Sequence, residues 1–145
     1  MCFLTKLFLV LCIFQLSSQT WFDIETWSLC ENHSGVWCVE YWFVDYDQRI
    51  HSEIAHSDMK CYKNHPCKVY GKGSGKLSSD GFTDYFELGV ITRHNCTNDG
   101  TIRFSLSDPP VEVYVGLVDW EGTIGEKINN KGYIASSWND IPVLT

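Results

Sequence analysis

Apolar and polar residues alternate singly along most of this chain, and the apolar ones are largely β-branched or aromatic. The clearest run spans residues 111–120. Val111, Val113, Val115 and Leu117 point one way; Glu112, Tyr114 and Gly116 point the other. Period-two patterning of this kind marks a strand with one buried face. It predicts a central strand here, with Val113, Val115 and Leu117 in the core against Ile102, Phe104 and Leu106. Residues 39–47 echo it. Val44-Asp45-Tyr46-Asp47 and Val118-Asp119-Trp120-Glu121 share the order Val, Asp, aromatic residue, acid.

Further strands are predicted over 21–29, 36–44, 68–71, 85–91, 101–107 and 133–138. In the first, Trp27 and Leu29 fall out of phase with Phe22 and Ile24, which suggests a bulge. Residues 30–35 read as a turn between the first two strands, and Asp108-Pro109-Pro110 as a hairpin turn into residue 111. The polar stretch 48–60 reads as a loop or a short helical turn. Gly71, Gly73 and Gly75, interleaved with Lys72, Ser74 and Lys76, read as a flexible link, and 122–131 as a loop. About seven strands at turn spacing, without an amphipathic helix, predict an all-β fold. The expected architecture is a single antiparallel β-sandwich, with a partly open β-barrel as the alternative.

The first twenty residues change the picture. Lys6 precedes an apolar run at 7–16, and small polar residues follow at Ser17, Ser18 and Thr20. This is the three-part pattern of a secretory signal peptide. The run is about ten residues, where a membrane span needs roughly twenty. Residues 1–20 are thus expected to be a leader and 21–145 a secreted domain with no membrane span. Lys6 leaves with the leader, taking the formal charge from −7 to −8. An acidic balance argues against nucleic acid and anionic membranes, which call for basic patches.

Of seven cysteines, Cys2 and Cys12 fall in the leader, and Cys30, Cys38, Cys61, Cys67 and Cys96 remain. In an oxidising compartment they imply a disulfide framework. Short separations around turns suggest Cys30–Cys38 and Cys61–Cys67, leaving Cys96 free. The sequons at Asn32 and Asn95 fit the same route and make both asparagines candidate glycosylation sites.

Candidate chemistry is thin. Asp45, Asp47, Asp119 and Glu121 end the two echoing strands. If both ends meet, four carboxylates gather in two loops, and calcium takes such oxygens. The arrangement resembles the acidic loops of calcium-dependent sandwiches of the lipid-binding and cadherin kinds. His51, His56 and His65 lie near Asp58 and Cys61 without a recognised zinc spacing. No nucleophile elbow is present. A free Cys96 could use His94, but a third, orienting group is missing. Trp42, Tyr114 and Trp120 fall off the inferred core face, Trp21 and Trp27 lie near the start of the domain, and exposed rings bind sugars, lipids or proteins. The expected function is extracellular binding of a protein or surface ligand, with no enzymatic activity and no cofactor. Calcium-dependent binding is the second reading and a small secreted hydrolase the third.

Overall fold

The computed structural model describes residues 19–31, 35–46, 51–63, 67–78, 85–107, 110–114, 116 and 119–140. The expected leader lies outside them, apart from Gln19 and Thr20. Nine strands run in order: β1 (Gln19–Cys30), β2 (Trp37–Asp45), β3 (Ser52–His56), β4 (Lys60–Tyr62), β5 (Cys67–Ser78), β6 (Tyr85–His94), β7 (Arg103–Leu106), β8 (Val111–Tyr114) and β9 (Asp119–Lys127). They form a three-stranded sheet ordered β5-β1-β9 and a six-stranded sheet built on β3-β2-β6-β7, with β4 also on β2 and β8 also on β6. The sheets pack face to face as the expected sandwich, and no barrel closes. Every strand pair is antiparallel except β1 with β9, which is parallel.

The alternation holds throughout β1. Thr20, Phe22, Ile24, Thr26, Ser28 and Cys30 point inward, with no bulge. Trp27 and Leu29 are in phase after all; they belong to the outer face. The link at residues 71–76 is instead the middle of β5, a twelve-residue strand whose glycines face inward and whose Lys72, Ser74 and Lys76 face outward. A Cβ on Gly71 would lie 2.5 Å from the Tyr41 ring, and one on Gly73 2.2 Å from the Phe43 ring. The rings of β2 pack directly on the β5 backbone, so only glycine fits there.

The expected central strand divides. Residues 111–114 form β8, which pairs with the first half of β6, while 119–127 form β9 in the other sheet. Gly116 between them adopts φ 99°, a left-handed conformation that glycine takes without steric cost. The hairpin expected between β7 and β8 does not form, and Asp108 and Pro109 of its expected turn lie outside the described residues. β7 pairs with residues 91–94 of β6 and β8 with 85–88, so both follow one edge in one direction. Of the expected core set, Val113 and Phe104 are buried, Leu106 is half-buried and Ile102 is exposed; Val115 and Leu117 lie outside the described residues. The stretch at 52–62 supplies β3 and β4 rather than a helical turn. Tyr133 makes only an isolated bridge to Phe104, in place of the strand expected over 133–138.

The cysteine pairing also differs. Cys30 bonds Cys96, Cys38 bonds Cys61, and Cys67 is the thiol. The reason is topological. Cys30 and Cys38 lie in different sheets, as do Cys61 and Cys67, so neither pair flanks a hairpin of one sheet. Cys38 and Cys61 are register partners across β2 and β4, with Cα atoms 4.0 Å apart.

The main core fills the space between the sheets, around Phe22, Ile24, Phe43, Leu88, Val113 and Ile124. A second cluster, Trp42, Val44, Tyr46, Ile91 and Phe104, lies on the outer face of the six-stranded sheet. The segment carrying Ala135 and Trp138 covers it, and Trp138 stacks on Trp42 at 6.3 Å. The outer face of the three-stranded sheet has no such cover among the described residues.

Candidate functional site

That bare face is built by three strands in strict alternation. β1 supplies Trp21, Asp23, Glu25, Trp27 and Leu29; β5 supplies Lys68, Tyr70, Lys72, Ser74 and Lys76; β9 supplies Asp119, Glu121, Thr123, Gly125 and Lys127. The register sets them in rows. Lys76, Trp21 and Asp119 form one; Lys72, Glu25 and Thr123 another; Tyr70, Trp27 and Gly125 a third. The β5 side is therefore basic, the middle carries two indoles, and the far side is acidic down to Glu121.

Contacts within and between the rows hold the rings in place. Lys68 Nζ sits 4.2 Å from the Trp27 ring centroid and 5.4 Å from that of Tyr70, and Lys76 Nζ sits 5.6 Å from Trp21. Each is within the range of a cation–π contact. Trp27 leans over β9: a Cβ on Gly125 would meet the indole at 2.5 Å. Lys72 Nζ pairs with Asp23 at 3.2 Å and Glu25 at 3.8 Å, and Ser74 Oγ donates to Asp23 at 3.0 Å. The hydrogen bond and charge of Asp23 hold the Lys72 ammonium above its usual pKa. Trp21 is 40% exposed and Tyr70 66%. This is an ordered, amphipathic platform with rings available for contact.

A groove of about 640 Å³ opens where β9 faces β7 and β8. Ser105 Oγ donates to Glu126 Oε1 at 2.6 Å, and Lys131 Nζ lies 3.6 Å from Glu126 Oε2. Burial pushes the Glu126 carboxyl above its usual range. Ser105 faces a carboxylate, with no imidazole among the groove's lining residues, so the pair lacks the base of a nucleophilic triad.

The other expected sites are dispersed. Asp45 lies in the six-stranded sheet, its Oδ1 accepting from the Glu87 backbone N–H at 2.7 Å. Asp119 and Glu121 are exposed on β9 in the other sheet, and Asp47 lies outside the described residues. Among the described residues no three His, Cys, Asp or Glu come together as a metal site, so the described part of the four-carboxylate cluster is not assembled. His56 pairs with Glu40 at 2.9 Å, His51 is buried against Tyr46, and His65 lies outside the described residues. Cys96 is bridged and buried, which removes the nucleophile expected beside His94. Asn95 is half-buried, its Oδ1 accepting from the Cys38 N–H at 2.6 Å, and Thr97 of the same sequon is buried; Asn32 lies outside the described residues.

Of the expected aromatics, Trp21 and Trp27 share the bare face. Trp42 is only 8% exposed, beneath Trp138 and stacked on His56. Trp120 points inward toward Phe22, and Tyr114 is exposed on β8 of the other sheet. Tyr70, Lys68 and Lys76 were missed. Their signal was present: Lys68, Tyr70, Lys72, Ser74 and Lys76 alternate with small or apolar residues at period two.

A protein family described as "Caenorhabditis elegans protein of unknown function (DUF870)" matches residues 25–125. No curated protein matches the chain. Among solved structures, the chain is similar to an alternative pilotin from the type II secretion system of Vibrio cholerae, at 11% identity and a TM-score of 0.38, over 74% of this chain and 96% of that one.

Proposed function

Since the chain belongs to the DUF870 family, whose description states no activity, we propose a function from its own surface: a secreted, non-catalytic binding module that grips a protein partner through the outer face of β5-β1-β9. One observation carries this reading. Among the described residues, one segment covers the outer face of the six-stranded sheet and none covers that of the three-stranded sheet, which carries Trp21, Trp27 and Tyr70. Trp and Tyr at the centre of a patch are among the residues on which binding energy concentrates. The partner that fits has an apolar ridge, acidic groups facing the lysines of β5 and basic groups facing Asp119 and Glu121.

Two disulfides in a domain of this size suit an oxidising, extracellular setting. No helix of the described residues is long and apolar enough to cross a membrane. Export would follow from the leader expected over 1–20, and glycans would sit at Asn32 or Asn95. Amino-terminal sequencing and glycosidase treatment of the secreted product check both.

The binding experiment uses immobilised mature protein and an extracellular extract of Caenorhabditis elegans. A saturable partner should be retained by the wild-type chain and lost from the Trp21→Ala/Tyr70→Ala double variant. Equal retention by both would overturn the reading. Circular dichroism of the variant establishes that the sandwich is intact.

A further inference from the structure

The three-stranded sheet has two edges, and they are treated differently. β5 carries Lys68, Lys72 and Lys76 at intervals, and β3 of the other sheet packs beside it, with the Ile54 carbonyl 2.3 Å from where a Gly75 Cβ would stand. Lysines and covering segments are the usual devices that stop an edge from recruiting another chain. β9 has neither. Among the described residues only β1 pairs with it, and no described strand lies along the outer edge of its nine residues. It contains no proline, its register with β1 is unbroken, and its middle, Gly122-Thr123-Ile124-Gly125, has no charge. A long, regular edge with an uncharged middle is a template for strand addition.

The sequence of that edge complements itself. Its start is acidic at Asp119 and its end basic at Lys127. An antiparallel second copy, centred on Thr123 and pairing all nine residues, sets Asp119 opposite Lys127 at both ends. Both residues point to the outer face, so the unlike charges meet on one side of the sheet. Glu121 falls opposite Gly125, and Trp120 opposite Glu126. A parallel copy in register would set like charges together. Asp119 has no ion pair among the described residues, whereas Lys127 reaches Glu31 at 2.9 Å.

We propose that two copies of this chain associate through the outer edges of β9, antiparallel about Thr123, joining two three-stranded sheets into one of six. The order is then β5-β1-β9 continued by the partner's β9, β1 and β5. The two bare faces become one continuous surface carrying Trp21, Trp27 and Tyr70 twice. That doubling would let the dimer bind a repetitive or paired partner with avidity. This consequence rests on the binding face proposed above; the association itself does not.

Sedimentation equilibrium of the mature, oxidised protein tests the association without reference to any partner. The wild-type chain should dimerise. Asp119→Lys and Lys127→Glu each place like charges opposite one another twice in their homodimers, and each should weaken self-association at least about tenfold, since opposed like charges destabilise a ladder. An equimolar mixture of the two variants pairs Lys with Glu and Lys with Asp, and should recover the dimer. Backbone amides of β9 in the wild-type chain should exchange faster on dilution. A chain monomeric up to near-millimolar concentration would overturn the proposal. So would a dimer that neither variant weakens, or β9 amides whose exchange ignores concentration. Recovery in the mixture also shows that both variants fold.

Discussion

Gly73 lies at the middle of β5 with the Phe43 ring against its Cα, and no larger residue can stand there without moving that ring. Gly73→Ala should destabilise the domain by about 1–3 kcal/mol, the cost of overpacking a filled core, read as a lower denaturant midpoint at unchanged slope. His94 is a second such position. It is 1% exposed, and its Nδ1 accepts the Cys96 N–H at 3.2 Å. Burial, with the nearby Arg103 charge, pushes its pKa down to about 4 from 6.5. The folded chain therefore holds the ring neutral where the unfolded chain protonates it. Its contribution to stability is complete above pH 6.5 and declines as pH falls from 6.5 to about 4, by about 3 kcal/mol in all. Glu126, whose pKa is raised, acts in the opposite sense as the pH falls toward ordinary carboxylate values, so the His94 slope is best read at the upper end of the range. A histidine ring signal assigned to His94 and still neutral at about pH 5 would bear this out, and a midpoint near 6.5 would refute it.

β1 makes the contrast between faces sharp because one strand carries both. Ile24 is fully buried, and Ile24→Ala should cost about 2–5 kcal/mol by leaving a cavity. Trp21, on the opposite face, packs only beneath Lys76 and beside its row neighbours. Trp21→Ala should change stability by less than about 1 kcal/mol, as exposed substitutions usually do, while the partner's affinity falls. Urea unfolding of both variants separates the roles; a Trp21→Ala loss as large as that of Ile24→Ala would make the ring structural. The same strand shows how far alternation can be read. Thr26 and Ser28 are inward and Trp27 and Leu29 outward, the reverse of what hydrophobicity suggests. Period was legible there, but which face was buried was not, because an aromatic outer face and a small-residue inner face invert the usual signal. β5 repeats the lesson, its inward glycines resembling a linker until the rings of Tyr41 and Phe43 are seen to occupy their side-chain space.

Across the whole molecule the disulfides tie the layers together. Cys30–Cys96 joins β1 of one sheet to the end of β6 in the other, across a separation of 66 residues. Removing it should cost about 4 kcal/mol in the loop-entropy account. Non-reducing peptide mapping should find Cys30–Cys96 and Cys38–Cys61, with Cys67 open to alkylation. Cys67 is the register partner of Cys30 across β1 and β5, as Cys61 is of Cys38 across β2 and β4. Oxidised Cys96→Ser should therefore form Cys30–Cys67; a variant with two free thiols would contradict that register. What the chain's alternation determined by itself was local: strands rather than helices, and a sandwich. Which strands share a sheet was decided by tertiary structure, because a turn between two strands reads alike whether it closes a hairpin or arches between layers. Cysteine pairing, the division of residues 111–127 between β8 and β9, and the distance of Asp45 from Asp119 and Glu121 all follow from that choice. So does the surface assembled from β1, β5 and β9, whose strands lie far apart in sequence and meet through the interior that Phe22, Ile24, Phe43 and Ile124 fill between the sheets, with the Phe43 ring packed on glycine.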